Sequence, residues 1–354
     1  MRVPLVAHFR NEYLPITETF IHDLLLASPG HRALAVFRTR LNADVFPTPP
    51  LALQTAVDFY RPSNGVDELA AALRRLGVDA CHAEFGWDLP LAGEIAERLD
   101  APLAVSFHGA DATSRVRDPR WLERYSRWLP RAGLVAVAYG GLVDSLIPLG
   151  ARPEAIEVLP TMVDGDAWPA AARPSAAGPV SLLTVGRLIE KKGHRVLLEA
   201  ISQAVAEGAD LRLRIAGGGP LLADLESQAA RLGLAARVSF LGPVARDRVR
   251  ELMAAADAFV LASLTAADGE QEGVPVVIKE AACTGLPVVA TRHAGIPTVV
   301  VEGVTGFLAE EGHPASLAEA LLRLVAARPR WGELGEAGRR HLLDHGLRRV
   351  GRVD

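Results

Sequence analysis

The residues best placed to do chemistry are two carboxylates, Glu272 and Glu280, which are separated by seven residues in the stretch 263–291. An acidic loop leads to Pro275, and an apolar segment containing Glu280 follows it. Proline is favoured at the first position of a helix, so we expect Pro275 to open a helix, with a buried strand at 288–290 after it. A carboxylate is costly in an apolar helix unless something binds it. The two glutamates therefore indicate a ligand-binding site.

The start of this predicted helix offers a place for a phosphate. Its first backbone N–H groups belong to Val276 and Val277, which closely follow Gly273. Such amides have no partner within the helix and bind anions readily. Two carboxylates flanking a phosphate predict one long ligand held at several points. The alternative is a surface glutamate and a helix glutamate that have only solvent as partners.

A second group of residues supplies positive charge. Gly186 and Arg187 end a predicted strand, 180–185, and Lys192 and Gly193 follow around a turn. Two cations that converge on one anion match a nucleoside diphosphate, which carries about two negative charges. Solvated surface charges are the alternative. The pattern differs from a Walker A loop, because no Gly-Lys-Ser/Thr follows a glycine at the required distance.

In the first half of the chain, His108 and Asp111 directly follow the apolar run 103–107. A neutral imidazole can hydrogen-bond a sugar hydroxyl or a nearby main-chain carbonyl, and we expect Asp111 to fix its tautomer. No metal-ligand spacing accompanies His108, so no zinc site is expected there. A structural role for a lone histidine at a strand end is the alternative.

Asp111 and two further clusters are candidates for the acceptor side of a site. His82 lies in a predicted strand, 80–85, where a pocket-lining role and a satisfied core histidine are equally good interpretations. Thr17 is a predicted helix N-cap, with Glu18 directly after it. A well-capped helix without further function is the alternative for this segment.

The segment 265–281, TAADGEQEGVPVVIKEA, resembles the E-x7-E signature of the family-4 retaining glycosyltransferases. The resemblance is greatest to the branch that builds colanic acid and similar exopolysaccharides. The resemblance implies that Glu280 holds the ribose hydroxyls of a donor nucleotide and that Glu272 contacts the donor sugar. It also implies that the G-R-x4-K-G element, with Arg187 and Lys192, holds the donor diphosphate. Most of the chain resembles this family, and the second half carries its more specific motifs.

Other motifs extend the resemblance, and one departs from it. His108 to Asp111 resembles an H-G-x-D motif whose histidine reaches the donor sugar near the reacting carbon. The segment 15–21 resembles P-x-S-E-T-F-I, with Thr17 in place of serine, which implies a loop facing the donor phosphates and the acceptor. The turn 293–297 resembles H-x-G-I-P, but Thr298 follows where the family usually has glutamate. We therefore carry over no catalytic role at that position.

Strand-like apolar runs alternate with helical stretches in both halves, which predicts parallel sheets covered by helices. The predicted strands are 3–9, 33–37, 80–85, 103–107, 134–138, 156–159, 180–185, 211–216, 238–242, 257–261 and 288–290. The resemblance implies an α/β fold of the GT-B class, with two Rossmann-like parallel-sheet domains facing across a cleft. The predicted segments are an acceptor-side domain 1–165, a linker 166–178, a nucleotide-sugar-binding domain 179–335 and a helical tail 336–354. The family's C-terminal helix onto the first domain is expected to be short or missing.

Composition bounds the remaining classes. The 354 residues carry a net charge of −4 and two cysteines. No basic stripe points to nucleic acid, and so few cysteines fit a reducing compartment. We expect no signal peptide and no membrane span, which predicts a cytoplasmic protein, open to peripheral contact with the inner face of the membrane. The oligomeric state is left open.

These features predict a retaining hexosyltransferase that uses a UDP- or GDP-linked sugar and a glycan, lipid-linked or small natural-product acceptor. No cofactor and no metal are expected, because cations and amides can stabilise the departing diphosphate electrostatically. A nucleotide-sugar epimerase on the same fold and a catalytically silent nucleotide-sugar-binding subunit stay open as alternatives. A dehydrogenase is disfavoured, because neither half carries the G-x-G-x-x-G pattern after its first strand, and the glycines that begin at Gly217 fail the pattern at Leu222.

Overall fold

A computed structural model describes residues 2–15, 18–26, 30–43, 46, 49–171 and 178–345. The described residues up to Met162 form one compact unit, and those from Val163 onward form a second. The predicted segment bounds stay a prediction, and two observations bear on them. Trp168, within the predicted linker, is fully buried and faces Arg246 and Arg250 of the second unit. The predicted start of a tail at residue 336 falls inside a helix.

The first unit contains a seven-stranded parallel sheet in the order β5-β3-β1-β6-β7-β8-β9, and a separate pair, β2-β4. All six strands predicted in this half are confirmed, while β2, β4 and β5 were not predicted. The strands are β1 Leu5–Phe9, β2 Glu12–Tyr13, β3 Arg32–Phe37, β4 Thr39–Arg40, β5 Ala52–Gln54, β6 Ala80–Ala83, β7 Leu103–Phe107, β8 Leu134–Val137 and β9 Ile156–Val158. The three missed strands are short and carry little apolar pattern, so periodicity could not reveal them.

The helices of the first unit are α1 Thr19–Leu26, α2 Val66–Leu76, α3 Leu89–Leu99, α4 Pro119–Trp128 and α5 Val143–Leu146. Local chemistry explains their limits. Asp118 caps α4 by accepting the N–H of Arg120, and Pro119 occupies the first helical position. Gly77 ends α2 in the left-handed conformation, φ 74°. The helix predicted after Thr17 is α1, but Thr17 itself lies outside the described residues.

The second unit contains a six-stranded parallel sheet in the order β12-β11-β10-β13-β14-β15. Its strands are β10 Val180–Val185, β11 Leu211–Ala216, β12 Val238–Gly242, β13 Ala258–Leu261, β14 Val288–Thr291 and β15 Gly306–Ala309. The five predicted strands are confirmed, and β15 was missed. The helices are α6 His194–Ala206, α7 Leu222–Arg231, α8 Arg246–Ala254, α9 Val276–Cys283, α10 Pro314–Ala326 and α11 Trp331–His345.

Both large sheets follow the same winding. Numbered from the first strand of each sheet, the order begins 3-2-1-4-5-6 in both, which is the Rossmann order. The winding reverses between β1 and β6 in the first unit and between β10 and β13 in the second. Ligands of such sheets bind beyond the carboxyl ends of the strands at this reversal. The topology therefore places one candidate site in each unit.

Helix α11 packs closely against the segment that follows α9. A Cβ on Gly335 would lie 1.9 Å from the carbonyl oxygen of Gly285, so only glycine permits this approach. Arg339 donates to the carbonyl oxygens of Trp168, at 3.0 Å, and Cys283. In the part of the chain that the structure describes, no helix combines the length and apolar character that a bilayer crossing requires.

Candidate functional site

The loops at the switch point of the second unit depend on two glycines. Gly193 has φ +65°, and a Cβ there would lie 1.8 Å from the carbonyl oxygen of Ala262. A Cβ on Gly217, with φ +147°, would lie 1.8 Å from the carbonyl oxygen of Gly186. No other residue permits either approach. The first contact brings the loop after β10 against the end of β13, and the second brings the turn after β11 against the turn after β10.

Lys192 and Glu272, both predicted site residues, meet at this point. The Lys192 Nζ lies 2.9 Å from the Glu272 Oε1, and the side chains are 12% and 11% exposed. Lys191 lies 3.7 Å from the same carboxylate and 2.7 Å from Glu270. Burial by itself would raise the pKa of Glu272, but the charges of Lys192 and Lys191 outweigh it and lower this pKa to about 2. The carboxylate is therefore ionised and its position is fixed by cations.

His293, which was not predicted as a site residue, holds the backbone at Glu272. Its Nε2 accepts the N–H of Glu272 at 3.1 Å, and its Nδ1 lies 2.7 Å from a Glu311 oxygen. With Nε2 as the acceptor, Nδ1 donates to Glu311, and this fixes the ring. The H-x-G-I-P turn was the available signal, but its interpretation centred on Thr298.

Helix α9 carries the second glutamate of the motif. The helix begins at Val276, one residue later than predicted, and Pro275 is its N-cap and not its first residue. Glu280 is buried on α9, as is the adjacent Lys279, whose pKa is lowered by burial to about 7. The side chains of Val276 and Val277 are half-buried at the helix start. The two glutamates therefore lie on opposite sides of the predicted phosphate position along the chain.

Arg187 differs from Lys192. Its side chain is exposed, and among the residues that the structure describes its guanidinium forms no hydrogen bond or ion pair. The side chain of Lys192 packs over Gly186, since a Cβ on that glycine would be 3.4 Å from the Lys192 Cε. The convergence of Arg187 and Lys192 on one anion stays a prediction.

His108 in the first unit contacts a main-chain carbonyl, one of the two contacts expected for its imidazole, but the expected role of Asp111 is wrong. Asp111 does not fix its ring, because the Asp111 carboxylate accepts three backbone N–H groups, from Gly86, His108 and Gly109, at 2.9–3.0 Å. The His108 Nε2 instead lies 3.0 Å from the carbonyl oxygen of Glu84 and donates to it. This leaves the His108 Nδ1 as an acceptor, which has no partner among the described residues. Asp111 stabilises the loop, and Glu84 orients the imidazole. The acceptor-side role of Asp111 stays a prediction.

Glu18 forms a two-pronged ion pair with Arg10, whose Nε and Nη2 donate to the two carboxylate oxygens at 2.8 and 2.7 Å. The guanidinium also lies 3.6 Å from Asp88 and 4.6 Å above the ring of Phe85. Burial raises the pKa of Asp88 to about 7, although Arg10 opposes the shift. Glu18 is thus tied to the end of β1, and its acceptor-side role stays a prediction.

His82 lies in a cluster with His8 and Glu84. The His82 Nε2 contacts the Ser106 Oγ at 2.9 Å, and its Nδ1 lies 3.3 Å from the His8 Nδ1. Burial lowers the pKa of His82 to about 4. Burial would raise the pKa of Glu84, but the histidines lower it to about 2. His82 therefore has polar partners within the sheet, which matches the core-histidine interpretation; its acceptor-side role stays a prediction.

Two family models match the chain. One, described as "Glycosyl transferase 4-like domain", matches residues 2–161, and one described as "Glycosyl transferases group 1" matches residues 179–327.

Relatives of known name agree. The amylovoran biosynthesis glycosyltransferase AmsK of Erwinia amylovora is 33% identical over 72% of this chain and 63% of its own length. The putative colanic acid biosynthesis glycosyltransferase WcaL of Escherichia coli K12 is 33% identical over 69% of this chain and 61% of its own length. This chain thus spans less than two thirds of these two relatives. The 2-deoxystreptamine glucosyltransferase of Streptomyces kanamyceticus is 30% identical over 73% of this chain and 70% of its own length.

Solved structures resemble the fold. HepE of Anabaena in complex with UDP aligns with a TM-score of 0.78 at 21% identity, over 98% of this chain and 97% of that one. A glycosyltransferase from Rickettsia africae ESF-5 aligns with a TM-score of 0.79 at 17% identity, over 99% and 96%. At such identities the likeness concerns the fold alone. The predicted GT-B class, with two parallel-sheet α/β domains, is confirmed.

Proposed function

The chain belongs to the group 1, family-4-like glycosyltransferases, and from this premise we propose that it is a retaining hexosyltransferase. The donor is a nucleotide-diphosphate sugar, and the acceptor is a hydroxyl group of a saccharide. The names of AmsK and WcaL support a glycan of an exopolysaccharide pathway as the acceptor. Lipid-linked and small natural-product acceptors are the alternatives, since other relatives are named for a phosphatidylinositol mannoside and for 2-deoxystreptamine.

The observation that carries the proposal is the Lys192–Glu272 ion pair at the switch point of the second unit. A diphosphate placed at the start of α9 competes with Glu272 for the ammonium of Lys192. The carboxylate, still held by His293 through its backbone, is then able to accept a hydrogen bond from a sugar hydroxyl. One ion pair therefore supplies a cation for the leaving group and an acceptor for the sugar.

In the reaction, the bond between the anomeric carbon and the diphosphate oxygen breaks, and the electron pair leaves with the diphosphate. Lys192, Arg187 and the backbone amides of Val276 and Val277 stabilise this charge. Because expelling a diphosphate needs little proton transfer, electrostatic stabilisation supplies most of the acceleration. The acceptor hydroxyl forms the new bond on the same face and gives its proton to the departing diphosphate oxygen, which is the retention that family membership supports.

The remaining predicted residues bind and orient the donor. Glu280 binds the ribose hydroxyls, and the backbone at Gly186 and Gly273 accommodates the nucleotide diphosphate. In the first unit, the free acceptor atom of His108, its Nδ1, binds a hydroxyl group of the sugar. The donor base is uracil or guanine: HepE was solved with UDP, and a mannosyltransferase relative is named as GDP-mannose-dependent.

A panel of UDP- and GDP-linked sugars, screened first for thermal stabilisation and then for turnover, tests the proposal. We expect one donor to raise the Tm and to be consumed only when a saccharide acceptor is added. Conversion of the donor without an acceptor would show an epimerase instead. Binding without turnover across a broad acceptor panel would favour a silent subunit. If no nucleotide sugar stabilises the protein, the donor site is wrong.

A further inference from the structure

Three ionisable side chains converge at the switch point of the first unit. His8 on β1 and His82 on β6 are register partners, so they project on one face of the sheet, and Glu84 returns to that face two residues later. The two Nδ1 atoms are 3.3 Å apart. The Glu84 Oε1 lies 3.4 Å from the His82 Nδ1 and 2.5 Å from the His8 Nδ1.

We propose that His8, His82 and Glu84 form a transition-metal site suited to Zn²⁺, with the two Nδ1 atoms and a Glu84 oxygen as ligands. Zinc is bound tetrahedrally by nitrogen and oxygen at about 2.0–2.1 Å, which places neighbouring ligand atoms about 3.4 Å apart. Two of the three separations already have this value. The third, between His8 and Glu84, opens by about 0.9 Å when the metal replaces the proton between them.

The outer partners of the two imidazoles fit a metal site. The His8 Nε2 lies 3.1 Å from the His31 Nε2, and the His82 Nε2 lies 2.9 Å from the Ser106 Oγ. A metal-binding histidine usually donates its other ring N–H to such a partner, which fixes its orientation. His31 also stacks on His8, with ring centroids 5.3 Å apart. Both rings are therefore held with Nδ1 directed into the cluster.

Charge balance points the same way. Glu84 and His8 are nearly inaccessible, at 1% and 3% exposed. A buried carboxylate needs a compensating positive charge. Within the described residues, Glu84 forms ion pairs only with histidines and none with lysine or arginine. A divalent cation supplies the missing charge, and three protein ligands leave one coordination position for water.

The ligands come from two strands that are distant in the sequence, with His8 and His82 separated by 74 positions. For that reason no metal-ligand spacing was visible, and no metal was expected. The three ligands all belong to the first unit, whereas Lys192 and Glu272 belong to the second. A bound metal would fix Glu84, whose carbonyl oxygen accepts the ring Nε2–H of His108, and so would help to position that imidazole.

Calorimetric titration of the chelator-treated full chain with Zn²⁺ tests the proposal, together with Co²⁺ titration followed by visible absorption. We expect about one equivalent of tight binding and the spectrum of tetrahedral Co²⁺. His82→Gln and Glu84→Gln should abolish tight binding, and Ser106→Ala should weaken it by about tenfold, as for other outer partners. The exposed His313→Gln is the matched control and should bind as the wild type does.

Thermal unfolding separates lost ligands from lost folding. Zn²⁺ should raise the Tm of the wild type and of His313→Gln but not of the two ligand variants, because only the folded site binds the metal. The Tm in chelator shows whether each variant folds, and Ser106→Ala provides a milder change at the same site. Absence of a stoichiometric Zn²⁺ site in the wild type would overturn the proposal. So would tight binding that survives in both His82→Gln and Glu84→Gln.

Discussion

The switch points of the two sheets have the same topology but are filled differently. In the second unit, close-packed glycine backbone brings Lys192 to the end of β13. In the first unit, side chains occupy the equivalent place, with Arg10 bound to Glu18 and the histidine cluster around Glu84. An anion needs space and backbone N–H groups that have no other hydrogen-bond partner. The glycine-lined switch point is therefore the better anion site.

Each switch point contains a buried carboxylate, Glu84 in the first unit and Glu272 in the second. The pKa of Glu84 and the pKa of Glu272 are both lowered to about 2, against the effect of burial. Histidines do this for Glu84 and lysines for Glu272. An ammonium group is charged at neutral pH and can exchange its carboxylate partner for a phosphate, whereas imidazoles bind metals or protons. The two carboxylates therefore support different ligands, because the groups that surround them differ.

The largest expected effect concerns turnover. The double variant Arg187→Ala/Lys192→Ala should lower kcat/KM by about 100- to 1000-fold, because the departing diphosphate loses both side-chain cations. Steady-state kinetics with the donor found in the screen measure this. Arg195→Ala/Arg248→Ala removes two exposed cations and is the matched control. Turnover within a few-fold of the wild type would remove the leaving-group role.

A second prediction concerns the stability of the Lys192–Glu272 pair. Lys192→Met should lower the free energy of unfolding by about 3 kcal/mol, because it leaves a buried carboxylate with only the more distant Lys191. Adding Glu272→Gln should recover part of this loss. Urea denaturation of the single and double variants measures the coupling. Strictly additive losses would mean that the pair is not coupled, and the contrast with the histidine-bound Glu84 would fail.

A third prediction concerns nucleotide affinity. Glu280→Ala should weaken binding of the donor nucleotide by about 1.5–3 kcal/mol, the value of hydrogen bonds to a charged group. Calorimetry with UDP and GDP measures the change, and the exposed Glu319→Ala is the control. Since Glu280 is buried, Glu280→Gln serves as the milder variant. Unchanged affinity in a folded variant would remove Glu280 from the site.

The smallest expected effect is a pH dependence in the first unit. The pKa of Asp88 is about 7 in the folded protein, against about 3.9 in an unfolded chain. Between these values the folded state retains a proton that the unfolded state releases, so the free energy of unfolding falls as the pH rises through this window. Between pH 5 and pH 7, the free energy of unfolding of Asp88→Asn should therefore fall by about 1–2 kcal/mol less than that of the wild type.

Urea midpoints at the two pH values measure this difference. Asp58→Asn is the control. The pKa of Asp58 is lowered, so its carboxyl group does not titrate in this window. An equal pH slope in Asp88→Asn and the wild type would show that Asp88 is ionised in the fold.

The motif residues could be predicted, but their partners could not. Glu272, Lys192 and Glu280 were identified from spacing and from the resemblance, yet the pairing of Lys192 with Glu272 was not foreseen. The expected hydrogen bond from His108 to Asp111 was wrong, because the nearest carboxylate in sequence is used by backbone amides. His293 was overlooked because its role is to hold a backbone group 21 positions away.

Apolar runs that alternate with helical stretches determined, by themselves, the eleven predicted strands and the parallel α/β class. A strand buried on both faces must be apolar whatever its neighbours are. Glycines and the proline before α9 marked the turns for the same local reason. Only the tertiary structure decided which charges meet. His8, His82 and Glu84 become neighbours because β1 and β6 are adjacent in the sheet, and Lys192 reaches Glu272 because Gly193 packs on Ala262. Such pairings depend on strand order and close approach, which a linear pattern does not encode.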